Sequence, residues 1–111
     1  MNSYQKTEAL LFDYSKYKLG VSIKRKFSRH IEVNTLTEDC ISSIDEALKS
    51  LQDEKYIKII EMYYFDRRTL EYIAEELDVS VKTVSVQRKI LINKLKAILF
   101  SDEYIMELLE K

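Results

Sequence analysis

The sequence predicts an all-α protein, and three observations predict it. The 111 residues contain no proline and a single glycine, Gly20; hairpins and sheets need such turn residues, whereas helix interiors suffer from both. Apolar residues recur at intervals of three and four along most of the chain, as one face of a helix requires. Hydroxyl or acidic residues stand just ahead of several of these runs, where side-chain oxygens can accept from the unsatisfied N–H groups of a helix start.

Taken in order, the first helix is expected over Ser3–Leu19, with Leu10, Leu11, Tyr14 and Tyr17 or Lys18 at helical spacing and Gly20 as its C-terminal stop. Val21–Val33 reads two ways. Val21, Ile23, Phe27 and Ile31 suit a helix face, Val21-Ser22-Ile23 also alternates like a strand, and helix is the assignment. Thr35 and Glu38 stand three apart, as the two members of a capping box do. Behind them Ile41, Ile44, Ala47 or Leu48, and Leu51 line one face of a helix reaching Ser50. Asp53 is placed to cap a helix over Glu54–Phe65 that buries Tyr56 or Ile57, Ile60, and Tyr63 or Tyr64.

The segment Thr69–Leu95 carries the functional signal. Thr69 can cap a helix with Glu71 in its first turn, on the side the helix dipole favours. Leu70, Ile73, Ala74 and Leu77 form its inner stripe, and the small Ala74 leaves room for a second helix to cross steeply. Asp78-Val79-Ser80 breaks the helix; Val79 is apolar inside the break, as a plug between two helices would be, and Ser80 can cap the next helix from Val81. A helix, a short turn with an inward apolar residue and a capped basic helix are the parts of a DNA-binding helix-turn-helix. At about 100° per residue, Val84, Leu91, Leu95 and Ile98 face inward on the second helix. Lys82, Ser85, Val86, Lys89 and Asn93 lie opposite, with Lys96 nearby. That strip offers cations, hydrogen-bonding groups and an apolar contact for a thymine methyl, a set suited to a major groove. Arg67 and Arg68 could flank it on phosphates. The expected DNA-contacting residues are therefore Arg67, Arg68, Thr69, Ser80, Lys82, Thr83, Ser85, Val86, Lys89 and Asn93. Val86, Ile90 and Ala97 leave a further apolar strip, expected to pack against the N-terminal helix or a second subunit.

A formal net charge of −1 does not exclude a nucleic-acid partner, because the charges are segregated. Between Tyr14 and Ile31 stand Lys16, Lys18, Lys24, Arg25, Lys26 and Arg29, with His30 and no acid. From Val79 to Ser101 stand Lys82, Arg88, Lys89, Lys94 and Lys96, again with no acid, while the intervening body is acidic. Screening confines each patch to about 8 Å at physiological salt, so a basic helix on an acidic body can still hold a phosphate backbone. Cys40, the single cysteine, can form neither an internal disulfide nor a zinc site, which fits a reducing compartment. No apolar run approaches a membrane span and the N-terminus lacks signal-peptide organisation, so a cytoplasmic protein with no membrane contact is expected. His30 and Cys40 have no partner motif and there is no glycine-rich phosphate loop. No enzyme activity, metal or cofactor is expected.

Residues 51–96, LQDEKYIKIIEMYYFDRRTLEYIAEELDVSVKTVSVQRKILINKLK, resemble the C-terminal, −35-reading domain (region 4) of bacterial sigma factors. The likeness rests on Leu51, Asp53, Ile60, Tyr64, Thr69, Ile73-Ala74, Leu77, Val79-Ser80, Thr83-Val84 and Leu95. Asp78 replaces the family's usual turn glycine, no proline follows Leu51, and Gln87-Arg88 depart from the family's pattern in the recognition helix. The chain is short for a complete sigma factor. Leu10-Leu11, Tyr14, Tyr17 and Lys18 are similar to the opening of small phage and prophage late-gene regulators of the ArpU and RinA type. The resemblance implies a sigma-like helix-turn-helix at 51–100, an N-terminal helical extension at 1–50 and an acidic helical tail at 101–111. It implies a sequence-specific transcription regulator on double-stranded DNA, with RNA polymerase and a second copy of the chain as further candidate partners. The alternative is a helical adaptor that uses the same fold without reading DNA; the sigma-like accessory protein of the signal recognition particle has a similar stretch.

Overall fold

In the structure, a computed structural model, residues 2–27, 35–101 and 109 are described, the side chains of 20–27 and 35–38 excepted. Every regular element among them is helical, in the order α1 (Ser3–Phe27), α2 (Thr35–Ser50), α3 (Lys58–Ile60), a π turn (Glu61–Phe65), α4 (Leu70–Leu77) and α5 (Val81–Leu99). The all-α fold expected from the sequence is the fold observed. None of these helices is long and apolar enough to cross a membrane.

Asn2 and Gln5 cap α1 reciprocally: the Gln5 N–H donates to Asn2 Oδ1 at 2.8 Å, and the Asn2 N–H donates to Gln5 Oε1 at 3.1 Å. Ser3, Thr7, Leu11 and Tyr14 form its buried face. The first two are small enough for close approach, and the Thr7 hydroxyl donates to the Ser3 carbonyl at 2.8 Å, so its burial leaves no open donor. Tyr17 and Lys18, expected to extend this face, are exposed. The helix also runs through Gly20 rather than ending there. Glycine stops a helix by turning the chain left-handed, and no glycine here has a positive φ. In a helix interior it costs only about 1 kcal/mol relative to alanine. The expected helix Val21–Val33 is thus, as far as Phe27, the end of α1; residues 28–34, with His30, lie outside the described residues.

In α2, Ile41, Ile44 and Ala47 are buried at helical spacing, with Leu51 just beyond the end and Cys40 half-buried. The Thr35–Glu38 capping pair falls on side chains outside the description.

The helix expected over Glu54–Phe65 is corrected. Leu51, Gln52, Glu54 and Ile57 each donate an N–H three residues back, a run of tight turns. Helix begins only at Lys58, and Ile57 at its start makes no side-chain cap, so Asp53 does not serve as one. Leu51, Ile59 and Ile60 enter the core at the two ends of these tight turns. The chain then widens into a π turn, closed by the Asp66 N–H on the Glu61 carbonyl at 2.9 Å. This widening splays three adjacent aromatics. Tyr64 enters the core with its ring centroid 4.7 Å from Phe12, Tyr63 lies 5.8 Å from Phe12, and Phe65 stacks on Tyr14 at 5.0 Å. Tyr14 in turn donates its hydroxyl to Asp45 of α2.

All elements share one apolar cluster: Leu11 and Tyr14 from α1, Ile41, Ile44 and Ala47 from α2, Ile59, Ile60 and Tyr64, Ile73 and Ala74 from α4, and Val84, Leu91, Ile92 and Leu95 from α5. The residues preceding Leu51 therefore supply core to the helix-turn-helix.

Candidate nucleic-acid interface

The turn between α4 and α5 is set by local chemistry. Thr69 Oγ1 accepts from the Tyr72 N–H at 3.1 Å and starts α4, with Glu71 in its first turn. Asp78 ends it in the left-handed region, at φ 55° and ψ 47°. The Asp78 N–H donates to the Glu75 carbonyl at 3.2 Å and the Val79 N–H to the Ala74 carbonyl at 3.0 Å, the two bonds of a Schellman end. Such an end turns the following apolar residue back onto the helix, and Val79 packs against the core there. Ser80 then accepts from the Thr83 N–H at 3.1 Å and starts α5. Buried Ala74 and Val84 lie where α4 and α5 pack together.

This geometry presents one side of α5. Lys82, Val86, Lys89 and Asn93 are exposed along it, and Ser85 is half-buried at its edge. Among the described residues Lys82 and Lys89 make no ion pair; Lys94, by contrast, holds Glu54 at 2.6 Å. Thr69 and Ser80 sit at the two helix starts with their hydroxyl oxygens accepting the cap hydrogen bonds, and the Thr83 hydroxyl lies 2.9 Å from that of Ser80. Arg67 is at φ 56°, and its guanidinium donates to the Phe12 carbonyl at 3.1 Å and lies 4.5 Å from the Phe12 ring centroid. It is therefore turned toward α1. Arg68 stacks over Tyr72 at 4.8 Å. The structure thus groups Lys82, Ser85, Val86, Lys89 and Asn93 on one helix face, puts Thr69, Ser80 and Thr83 at the helix starts beside it, and holds the exposed Arg67 against Phe12.

Two inward assignments on α5 change. Ile98 is 47% exposed, while Ile92 is fully buried in its place. The strip expected to meet α1 or a second subunit is not covered by α1: Val86 and Ile90 are 45% and 41% exposed.

Sequence reasoning missed Arg88. It was counted with the basic surface of α5, yet its side chain is only 14% exposed. One terminal nitrogen donates to Glu8 Oε2 at 2.9 Å and to the Tyr64 hydroxyl at 3.0 Å, and the Tyr64 hydroxyl donates to the same Glu8 oxygen at 2.8 Å. The guanidinium also lies 4.7 Å from the Tyr63 ring centroid. Burial, with the hydrogen bond to Glu8 second, keeps the Tyr64 hydroxyl protonated far above the usual tyrosine range. The available signal was angular: Arg88 falls about 40° from Val84 on the helix wheel, on the inner side.

With this geometry in place, comparison with known families gives one result. Residues 46–97 match the family described as Sigma-70, region 4. Region 4 domains are typically DNA-binding and non-enzymatic, and the match takes in α4, the turn and α5 as far as Ala97. It contains the 51–96 stretch on which the sigma resemblance rested, and it is to region 4 as such, not to phage late-gene regulators. It leaves α1 and most of α2 outside. No match was found among curated proteins or among solved structures. Among the described residues no group of three or more His, Cys, Asp or Glu could hold a metal ion.

Proposed function

We propose that this protein is a sequence-specific double-stranded DNA-binding transcription regulator that acts at promoters through its region 4-like helix-turn-helix. The observation that carries the reading is the face of α5 on which Lys82 and Lys89, without ion pairs among the described residues, flank Val86 and Asn93. In a major groove the two ammonium groups would meet phosphates or guanine edges, Asn93 an adenine edge and Val86 a thymine methyl. Thr69 and Ser80, at the starts of α4 and α5, would set the approach to the backbone, joined by Arg68.

RNA polymerase is the protein partner this reading favours, by likeness to region 4. A second copy of the chain is the other, and the exposed Ile90, beside the reading face, is where it would be sought. Action at phage or prophage promoters rests on the likeness of Leu10-Leu11, Tyr14, Tyr17 and Lys18 alone.

Selection of bound sequences from a random duplex pool by the full chain tests the proposal. Enrichment of one motif, with protection of that motif in a footprint, is the expected result. Recovery of unenriched sequence would overturn specific reading, and absence of any bound duplex would favour the adaptor alternative.

A further inference from the structure

Building on that DNA-binding reading, we infer that Glu8 is a positioning residue for the recognition helix: through Arg88 and Tyr64 it fixes the roll of α5, so that DNA selectivity depends on a helix outside the region 4 match. Val84, Leu91, Ile92 and Leu95 decide which side of α5 faces inward. Apolar burial is non-directional, so it tolerates small rotations and slides of the helix. A charge-assisted hydrogen bond does not.

One such constraint sits midway along α5. Glu8 Oε2 accepts from both Arg88 and Tyr64, and Arg88 also donates to the Tyr64 hydroxyl, closing a triangle with sides of 2.8, 2.9 and 3.0 Å. Its corners belong to α1, α5 and the π turn, and the Tyr63 ring covers the guanidinium. Arg88 precedes Lys89 directly and follows Val86 by two residues, so a roll of the helix about this point moves both proposed reading groups at once. The network is also poorly made for stability alone. Arg88 and Glu8 side chains are 14% and 24% exposed, and among the described residues Arg88 Nε is buried with no hydrogen-bond partner. A largely desolvated pair of this kind about breaks even against apolar packing. What it supplies is direction.

The test compares wild type, Glu8→Ala, Glu8→Gln and Tyr64→Phe, all as full chains and below their thermal midpoints. Two quantities are read: the ratio of affinities for a selected site and an unrelated duplex, and hydrogen–deuterium exchange of the free proteins. Glu8→Ala should lose about tenfold or more of the ratio, on the order of one misread base pair, while its unrelated-duplex affinity and salt slope stay unchanged. Peptides of α5 should exchange faster in that variant. Glu8→Gln keeps an oxygen for both donors and should retain most of the ratio; Tyr64→Phe, which keeps the ring and removes the hydroxyl, should lose part of it and remains informative if Glu8→Ala fails to fold. An unchanged or raised ratio in Glu8→Ala and Tyr64→Phe, or α5 exchange equal to wild type, would overturn the inference while leaving DNA binding intact. A wild type that binds no duplex would sink the DNA-binding reading and this inference with it, whereas faster α5 exchange alone would then show only a structural link.

Discussion

Glu8 and Arg88 are 80 residues apart in the chain and 2.9 Å apart in space. The pair ties the first helix to the middle of α5, inside a molecule whose family likeness begins only at residue 46. This relationship has a direct consequence for stability. Replacing Glu8 alone with leucine leaves Arg88 charged and deprived of its carboxylate, and should destabilise the protein by about 1–3 kcal/mol. Replacing the three together, Glu8→Leu with Tyr64→Phe and Arg88→Met, should restore stability to within about 1 kcal/mol of wild type, because the buried ion pair is then replaced by apolar groups. Urea unfolding of the single and triple variants checks both. A triple variant as unstable as the single one would show that the network stabilises in its own right.

At the α4–α5 crossing the expected effect is steric. Ala74 is buried in the core that α4 shares with α5, and Ala74→Leu should overpack it, costing about 1–3 kcal/mol. The same substitution should weaken DNA binding, since it pushes the two helices apart. Thermal unfolding and duplex binding of one variant read both effects.

Turn chemistry gives a pair of opposite outcomes. Asp78 lies at φ 55°, where a side chain costs about 1–2 kcal/mol and Asn, Asp and Gly suffer least. Asp78→Gly should therefore be neutral or stabilising within about 1 kcal/mol, and Asp78→Val should destabilise by about 1–2 kcal/mol. Ser80→Ala removes the cap on Thr83 N–H and should cost about 1 kcal/mol. Chemical denaturation midpoints decide each case.

Ile90, 41% exposed, should tolerate glutamate with no change in thermal midpoint. Sedimentation velocity of Ile90→Glu addresses the second-copy reading: a dimer that dissociates on this change would place the strip in an interface, and an unchanged sedimentation profile would remove it from consideration.

What could be read from the sequence was local chemistry. Thr69, Asp78 and Ser80 act within three or four residues of themselves, and each does in the structure what its type and place suggested. The faces of α2 and α4 followed from apolar spacing for the same reason. Features that depend on distant chain were not legible. Gly20 looked like a helix stop because nothing in its neighbours shows that the chain continues past it. The π turn at Glu61–Phe65 packs its rings on Phe12 and Tyr14 of α1, which the local pattern does not mention. The angle of Arg88 on α5 pointed inward, but its partner Glu8, in another helix, was not legible. The contact of Arg67 with Phe12 was not legible for the same reason.

On the proposed reading, the face of α5 bearing Lys82 and Lys89 binds duplex DNA. The most direct test of that reading is fluorescence anisotropy with a selected duplex at about 50 and about 200 mM salt, comparing wild type with Lys82→Ala and Lys89→Ala. Both lysines are exposed, so neither change should shift the thermal midpoint. Each should weaken binding, and where the lysine meets a phosphate the slope of log affinity against log salt should fall by about 0.9. Wild-type binding that both variants reproduce at both salt concentrations would contradict the account, because the contact would then lie elsewhere on the molecule.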